Sequence, residues 1–195
     1  GPGTTGLPND QGFDEFYGYL CQRVAHNYYP THLWKNKEKE LLLGNEEWFS
    51  AHQKITTENN YEQFSARTYA PDRIIEEAVE FIDTHADEPF FMYFASTIPH
   101  LALQIPDKEL DAYPMEWDKE PYLGDKGYLP HPRPRAAYAA MITRFDAEVG
   151  ALLEAVVRNG VEDNTIIIVT SDNGPSWVGG VDREFFNSSG GLRGR

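Results

Sequence analysis

The positions best suited to chemistry lie where an apolar run of this sequence ends in a polar turn. Asp172 and Asn173 follow residues 165–170, which are mostly β-branched, and precede the turn at Gly174-Pro175. Such a run is typical of a strand buried on both faces of a parallel sheet, and open α/β sheets bind ligands beyond the carboxyl ends of their strands. A carboxylate and an amide oxygen suit calcium or magnesium, which needs about six ligands in all. The alternative is structural: Asp172 caps the turn and Asn173 supplies its left-handed residue.

Histidines and arginines form a second set of candidates. His100 follows another apolar run, residues 90–95, and its imidazole could donate a proton or hold an anion near neutral pH. His26 is a weaker candidate of the same kind. Arg193 and Arg195, in a Gly-rich tail, could form an anion cradle with backbone amides, although two exposed arginines on a flexible end are as good an explanation. Aromatic residues that could stack on a sugar ring, or be buried instead, are Trp34, Trp48, Trp177, Tyr28 and Tyr29.

Two helices and two strands must position these side chains. Apolar residues recur at helical spacing from Ala70 to Ile82 and again from Tyr138 to Val156, where Asn159-Gly160 predicts the helix end. Each helix precedes one of the apolar runs, so we predict an α/β fold with a mostly parallel sheet flanked by helices. A hairpin turning at Asn36-Lys37 is expected near the amino terminus. Residues 101–134, rich in Pro, Gly and charge, are predicted to be a surface excursion.

Composition argues against several partners and structural features. The 195 residues include 31 acidic and 17 Lys or Arg residues, giving a net charge of −14 that opposes binding to nucleic acid and anionic membranes. Cys21 is the only cysteine, which excludes an internal disulfide and a cysteine-based zinc site. No apolar stretch approaches the roughly 20 residues that span a bilayer. Both ends have the composition of interrupted loops, so we expect a fragment truncated at both ends.

Four segments together resemble the sulfatase family of the alkaline-phosphatase-like superfamily, close to its arylsulfatase branch. They are GFDEFYGY, PFFMYFASTIPHLAL, YAAMITRFDAEVGALLEAVVRNGVEDNTIIIVTSDNGP and the final GGLRGR. The resemblance covers most of the chain in the family's order, and the helix followed by DNT and SDNG is its most specific part. It implies an alkaline-phosphatase-like fold, of which residues 1–195 would be a partial catalytic domain.

The resemblance also assigns roles to the candidates. It implies that Asp172 and Asn173 bind one divalent cation at the sulfate site, calcium first and magnesium as the alternative. His100 would contact the sulfate ester and assist departure of the leaving oxygen, since a cation and a proton donor both stabilise the charge that develops. His26 matches no family residue of assigned role and is retained as a weak substrate contact. The substrate would be a sulfated small molecule or glycan, and the full-length protein would be periplasmic or secreted.

The sequence departs from the family pattern at its nucleophile. Sulfatases use a cysteine or serine in a C/S-x-P-x-R motif, oxidised to formylglycine, and this chain has no such motif. Cys21 precedes Gln22-Arg23-Val24 and is therefore not that residue. The family's first acidic metal ligands and a lysine beyond Arg195 are also absent. We therefore expect the isolated chain to be inactive, and its exposed sheet edges to favour self-association.

Three functions compete at this point. The first is hydrolysis of aryl or carbohydrate sulfate esters by a nucleophile outside these residues. The second is hydrolysis of phosphodiesters or phosphonates on the same scaffold. The third is a noncatalytic, calcium-dependent glycan-binding module, which the α/β pattern disfavours because such modules are usually all-β.

Overall fold

Two amphipathic segments form the long helices that the apolar periodicity predicts. The computed structural model describes residues 3–53 and 61–193. Helix α1 (Gln22–Ala25) is a single turn, whereas α2 (Ala70–His85) and α3 (Pro134–Arg158) are long. Each long helix has a proline in its first turn, where the missing N–H removes no helical hydrogen bond. Helix α3 ends at Arg158 with Asn159 as its cap, and Gly160 follows with a φ of 68°, as expected for a glycine after a helix end.

The sheet of the described residues is small and antiparallel. Strands β1 (Tyr17–Gly18), β2 (His32–Lys35) and β3 (Glu38–Leu41) pair in sequence order. Lys35 pairs with Glu38, which leaves Asn36-Lys37 as the two-residue turn, and Asn36 has the positive φ of 54° that such a turn requires. The hairpin prediction is confirmed. Short 3-10 turns connect the rest, at Pro8–Gln11, Glu62–Phe64, Asp107–Ala112, Met115–Trp117 and Glu162–Asn164.

The main core forms where the first half of α3 packs on two loops. Its largest fully buried side chains are those of Tyr28, Leu101, Leu103 and Met141, each exposed by 2% or less. A second cluster joins the later parts of α2 and α3 through Ile82, Ala155 and Val156. Ion pairs supplement this packing between the helices. Arg144 on α3 contacts Asp72 on α2 and Glu109, and Arg158 contacts Asp83 at 2.8 Å.

The two apolar runs predicted to be buried strands are not buried in this structure. Ile166 and Ile168 are 90% and 81% exposed, and Phe91 and Tyr93 are 74% and 73% exposed. Neither run pairs with a strand among the described residues, and a strand can bury both faces only between layers of other elements. Residues 90 and 92 do pack on the α2–α3 cluster, so one face of that run is covered. Burial on both faces is therefore a wrong prediction, and the mostly parallel sheet stays a prediction.

The surface excursion predicted for residues 101–134 is wrong at its beginning. Residues 101–105 are all at most 4% exposed, and Leu129 is completely buried. Most of the charged residues that follow Ile105 are exposed as expected, although Pro130 and Pro134 are buried. The short LALQI stretch is apolar enough to join the core beside Tyr28. No helix of the described part of the chain is both long and apolar enough to cross a membrane.

The exposed apolar run at residues 165–170 predicts concentration-dependent self-association. Replacing Ile166 and Ile168 together by threonine should weaken dimerisation of the isolated chain about tenfold, because less apolar surface would leave water on association. Sedimentation velocity over a concentration series measures this. A matched double variant, Leu41→Thr with Leu43→Thr, changes residues that are 78% and 70% exposed elsewhere and should have little effect. Equal weakening by both double variants would contradict a specific role for the run.

Candidate functional site

The loop that carries His100 is held by a buried tyrosine. Tyr28 is fully buried, and its hydroxyl donates to the carbonyl oxygens of Thr97 at 2.7 Å and His100 at 2.6 Å. Burial raises the pKa of this phenol well above its ordinary value, so it remains a donor at every physiological pH. Tyr28 also fixes the neighbouring segment, because its backbone N–H donates to the side chain of buried Gln104 at 2.9 Å. The backbone on either side of His100 is therefore fixed from within the core.

The imidazole of His100 is exposed and has a defined tautomer. Its Nδ1 lies 2.7 Å from the carbonyl oxygen of Leu101, and a carbonyl only accepts, so Nδ1 must carry the proton. Nε2 is then the atom left for a ligand. It accepts a hydrogen bond when the ring is neutral and donates one when the ring is protonated. This is the geometry that a proton donor at a leaving oxygen requires.

The structure brings His26 to His100, together with two rings that the sequence analysis did not select. His26 stacks on His100 with ring centroids 4.9 Å apart and planes within 4°. The Nε2 atom of His52 lies 3.4 Å from Nδ1 of His26. Tyr128 contacts all three rings, at centroid distances of 5.5, 4.8 and 5.9 Å from His26, His52 and His100. We call these four residues the ring cluster.

Charge repulsion within the ring cluster acts on His26. Partial burial lowers the pKa of this imidazole, and the nearby imidazoles of His100 and His52 lower it further. A protonated His26 would lie against two other groups that can also become positive. The ring cluster without a ligand therefore favours a neutral His26, and an anion placed on it would relieve the repulsion.

A buried carboxyl group lies behind the His100 loop. Glu148 on α3 is 3% exposed, and its Oε2 accepts a hydrogen bond from Ser96 Oγ at 2.8 Å. Burial raises its pKa to about 7, opposed by the Ser96 hydrogen bond and by Arg144. The sequence held a signal for this residue, because Glu148 is an acid on the apolar stripe of α3 between Phe145 and Leu152. No comparable signal marks His52 or Tyr128, which occupy irregular loops.

Asp172 and Asn173 lie on the surface, apart from the ring cluster. Both are exposed, and no hydrogen bond, ion pair or ring contact among the described residues joins either to His100. The turn alternative is not observed either: Ser171 Oγ donates to the Asn173 carbonyl at 2.8 Å, and Asn173 is not among the described residues with positive φ. The Asp172 carboxylate has no hydrogen-bonding partner in the described part of the chain. Its oxygen atoms are free for a ligand.

The remaining candidates divide between core and surface. Tyr28 and Tyr29 are buried, as their alternative explanation predicted, whereas Trp48 and Trp177 are about half exposed. Trp34 lines a cavity of about 450 Å³ with Leu7, Asp10 and Lys37, away from the ring cluster. Arg193 is exposed; Arg195 lies outside the described residues, so the proposed cradle is not tested.

Comparison with known proteins identifies the family. The family model described as Sulfatase matches residues 4–192. The chain belongs to the sulfatase family. It is 28% identical over 169 residues to the Escherichia coli K12 sulfatase YdeN, covering 86% of this chain and 23% of that protein. It is also 24% identical over 207 aligned positions to an arylsulfatase of Klebsiella aerogenes, covering 89% of this chain and 42% of that protein.

Solved structures agree with this sulfatase assignment. The crystal structure of Ps i-CgsB in complex with k-i-k-neocarrahexaose superposes with a TM-score of 0.55 at 25% identity. The match covers 82% of this chain and 32% of that chain. This sulfatase chain thus spans less than half the length of each of these relatives. The expected resemblance is confirmed, and the α/β class of the fold is that of the family.

Sulfatases generally use a divalent metal ion. Within residues 3–53 and 61–193, no three His, Cys, Asp or Glu side chains are grouped so that they could hold one. Asp172 and Asn173 have oxygen donors of the right chemistry, and the Asp172 carboxylate is unpaired, so these residues fit a hard cation as part of a larger ligand set.

Removing the Tyr28 hydroxyl should loosen the His100 loop. Tyr28→Phe leaves the two carbonyls without their buried donor, and the free energy of unfolding should fall by about 1–2 kcal/mol. Urea unfolding followed by fluorescence measures the change. Tyr113→Phe is the matched control, because its hydroxyl bonds Thr143 at the exposed surface and its loss should cost less than about 0.5 kcal/mol. Equal losses for both variants would mean that Tyr28 contributes no more than a surface hydroxyl.

Glu148 should make stability depend on pH between about 4.5 and 7. Its pKa is raised from 4.5 to about 7 in the folded state, so the folded protein binds this proton more tightly than the unfolded chain. Stability from this group is fully present below pH 4.5 and is lost as the pH rises to 7, by up to about 3 kcal/mol. Glu148→Gln removes this loss, so the variant should gain stability over the wild type as the pH rises from 5 to 8.

Thermal unfolding of the wild type and of Glu148→Gln, measured across that range, tests this linkage. Glu154→Gln on the exposed side of α3 is the control and should follow the wild type at every pH. Parallel curves for the wild type and Glu148→Gln would show that Glu148 ionises normally.

Proposed function

We propose that residues 1–195 are the central part of a sulfatase catalytic domain that hydrolyses sulfate esters of carbohydrates or phenols. The observation that carries the proposal is the geometry of His100. A loop fixed by Tyr28 presents this imidazole with Nδ1 bonded to a backbone carbonyl and Nε2 free, in a chain matched over residues 4–192 by the sulfatase family. The relatives named sulfatase and arylsulfatase support the same reaction class.

His100 is the proposed general acid of this reaction. Cleavage of a sulfate ester leaves negative charge on the departing alcohol oxygen, and a proton donated from Nε2 of the imidazolium neutralises it. The hydrogen bond from Nδ1 to Leu101 keeps the ring oriented while Nε2 transfers its proton. His26 stacks on the same ring and is the proposed substrate contact beside it.

The proposed metal ligands are Asp172 and Asn173. Their oxygen donors favour calcium, with magnesium as the alternative, and the other ligands would come from residues outside this chain. The bound ion would supply positive charge to the sulfate oxygens. The nucleophile, a formylglycine in this family, would also come from outside these residues, since the chain has no C/S-x-P-x-R motif. The isolated chain is therefore proposed to be inactive.

A carbohydrate sulfate is the better supported substrate class. Ps i-CgsB, at 25% identity, was crystallised with an oligosaccharide, and the rings of His26, His52 and Tyr128 form a cluster with His100, which suits the faces of sugar rings. Aryl sulfates would then serve as convenient assay substrates. Export to the periplasm or beyond the cell is proposed with this substrate, and the mostly parallel sheet is proposed to form with strands from outside this chain.

Substituting His100 tests the assignment. In the enzyme that contains this chain, His100→Ala should lower kcat/KM for a sulfate ester about 100-fold or more, because the leaving oxygen loses its proton donor. Release of inorganic sulfate measures the rate. His32→Ala on β2, outside the ring cluster, should stay within about twofold of the wild type. Full activity of His100→Ala, or turnover of a phosphodiester but no sulfate ester, would refute the proposal.

A further inference from the structure

The ring cluster gathers three histidines without an acidic partner. His26, His52 and His100 come from three separate loops, and within the described residues no carboxylate forms an ion pair with any of them. This is unusual for a chain with 31 acidic residues against 17 Lys and Arg. Ordinary packing would be expected to place a carboxylate or carbonyl against each ring, and within residues 3–53 and 61–193 only His100 has one, the carbonyl of Leu101.

The geometry extends the site beyond His100. His26 contacts both of the other histidines, with ring centroids 4.9 Å from His100 and 5.4 Å from His52. No ring contact joins His52 to His100 among the described residues, so His26 lies between them. His52 is exposed and contacts His26 but not His100 among the described rings. Tyr128 packs across all three rings and closes the cluster on one side.

A metal ion does not account for this arrangement. The rings of His26 and His100 are parallel and stacked, so their nitrogens lie in separate planes instead of converging on one ion. Nδ1 of His26 faces Nε2 of His52. The described residues include no three-ligand metal group at this place. An oxyanion fits better, because it accepts hydrogen bonds from several N–H groups and balances the charge of protonated rings.

We propose that His52, together with His26, binds a second anionic group of the substrate, a sulfate or carboxylate on the sugar beside the one that carries the scissile ester. The enzyme would then select glycans with more than one charged group. This inference rests on the proposed function, because it places the scissile ester at His100. It adds His52 as a specificity-determining residue that neither motif nor family resemblance indicates.

Two disaccharide substrates that differ only in a second sulfate group test this selectivity. In the enzyme that contains this chain, His52→Gln should lower kcat/KM about tenfold for the disulfated substrate, because a charge-assisted hydrogen bond is lost. The same variant should stay within about twofold of the wild type for the monosulfated substrate. His32→Gln is the matched control and should leave both values unchanged.

The outcomes distinguish a failure of the role proposed for His52 from a failure of the proposed function. Equal effects of His52→Gln on both substrates, or no effect on either, would overturn the role of His52 while leaving sulfate ester hydrolysis in place. No hydrolysis by the wild type of either disaccharide or of an aryl sulfate would refute the proposed function. In that case a binding experiment still tests the ring cluster. The histidines of the protein are isotope-labelled and the disulfated disaccharide is added in steps. Binding should shift the NMR signals of His26 and His52. Buried His131 should not respond, and unchanged His52 signals would overturn the inference.

Discussion

The arrangement of the site depends on one buried amide, Gln104. Its side-chain carbonyl accepts the backbone N–H of Tyr28 at 2.9 Å, and its amide nitrogen donates to the Phe64 carbonyl at 2.7 Å. Its own backbone carbonyl accepts the hydroxyl of Tyr69 at 2.9 Å. Three segments far apart in sequence are thereby joined through a residue that is 4% exposed. Since an unpaired amide in such a place would cost several kcal/mol, the segments have little freedom to move apart.

The ring cluster is a consequence of this network. Tyr28 lies two residues after His26 and holds the carbonyls on either side of the His100 loop, and the backbone N–H of Ala102 donates to the His26 carbonyl at 3.3 Å. His26 and His100 are therefore stacked because hydrogen bonds through Ala102 and Tyr28 join their two loops, and not because two imidazoles attract. The low-dielectric surroundings that strengthen these bonds also disfavour the ionised form of Glu148 behind the loop.

The sequence predicted local structure well and burial less well. The helices α2 and α3 were predictable because their apolar stripes extend over several turns, and the hairpin because Asn36 tolerates the conformation that its turn requires. Residues 165–170 and 90–95 have the composition of inner strands, but composition does not supply the neighbouring strand that burial needs. Residues 101–105 were predicted to be exposed and are buried. The prediction was wrong because it was based on the prolines and charged residues that follow this short core segment. His52 was not predictable, since its role depends only on distances across three loops.

The two parts of the candidate site, the histidines and the Asp172-Asn173 pair, differ in what positions them. This difference explains why His26 and His100 lie together whereas Asp172 and Asn173 lie apart from them. His100 and His26 are positioned by hydrogen bonds to buried residues within this chain, so their arrangement does not require the sheet. Asp172 and Asn173 depend on the run before them, and residues 166–169 are 46–90% exposed with no strand beside them among the described residues. The histidine part is therefore preorganised by the core, whereas the proposed metal part depends on the further strands of the proposed sheet to position its carboxylate.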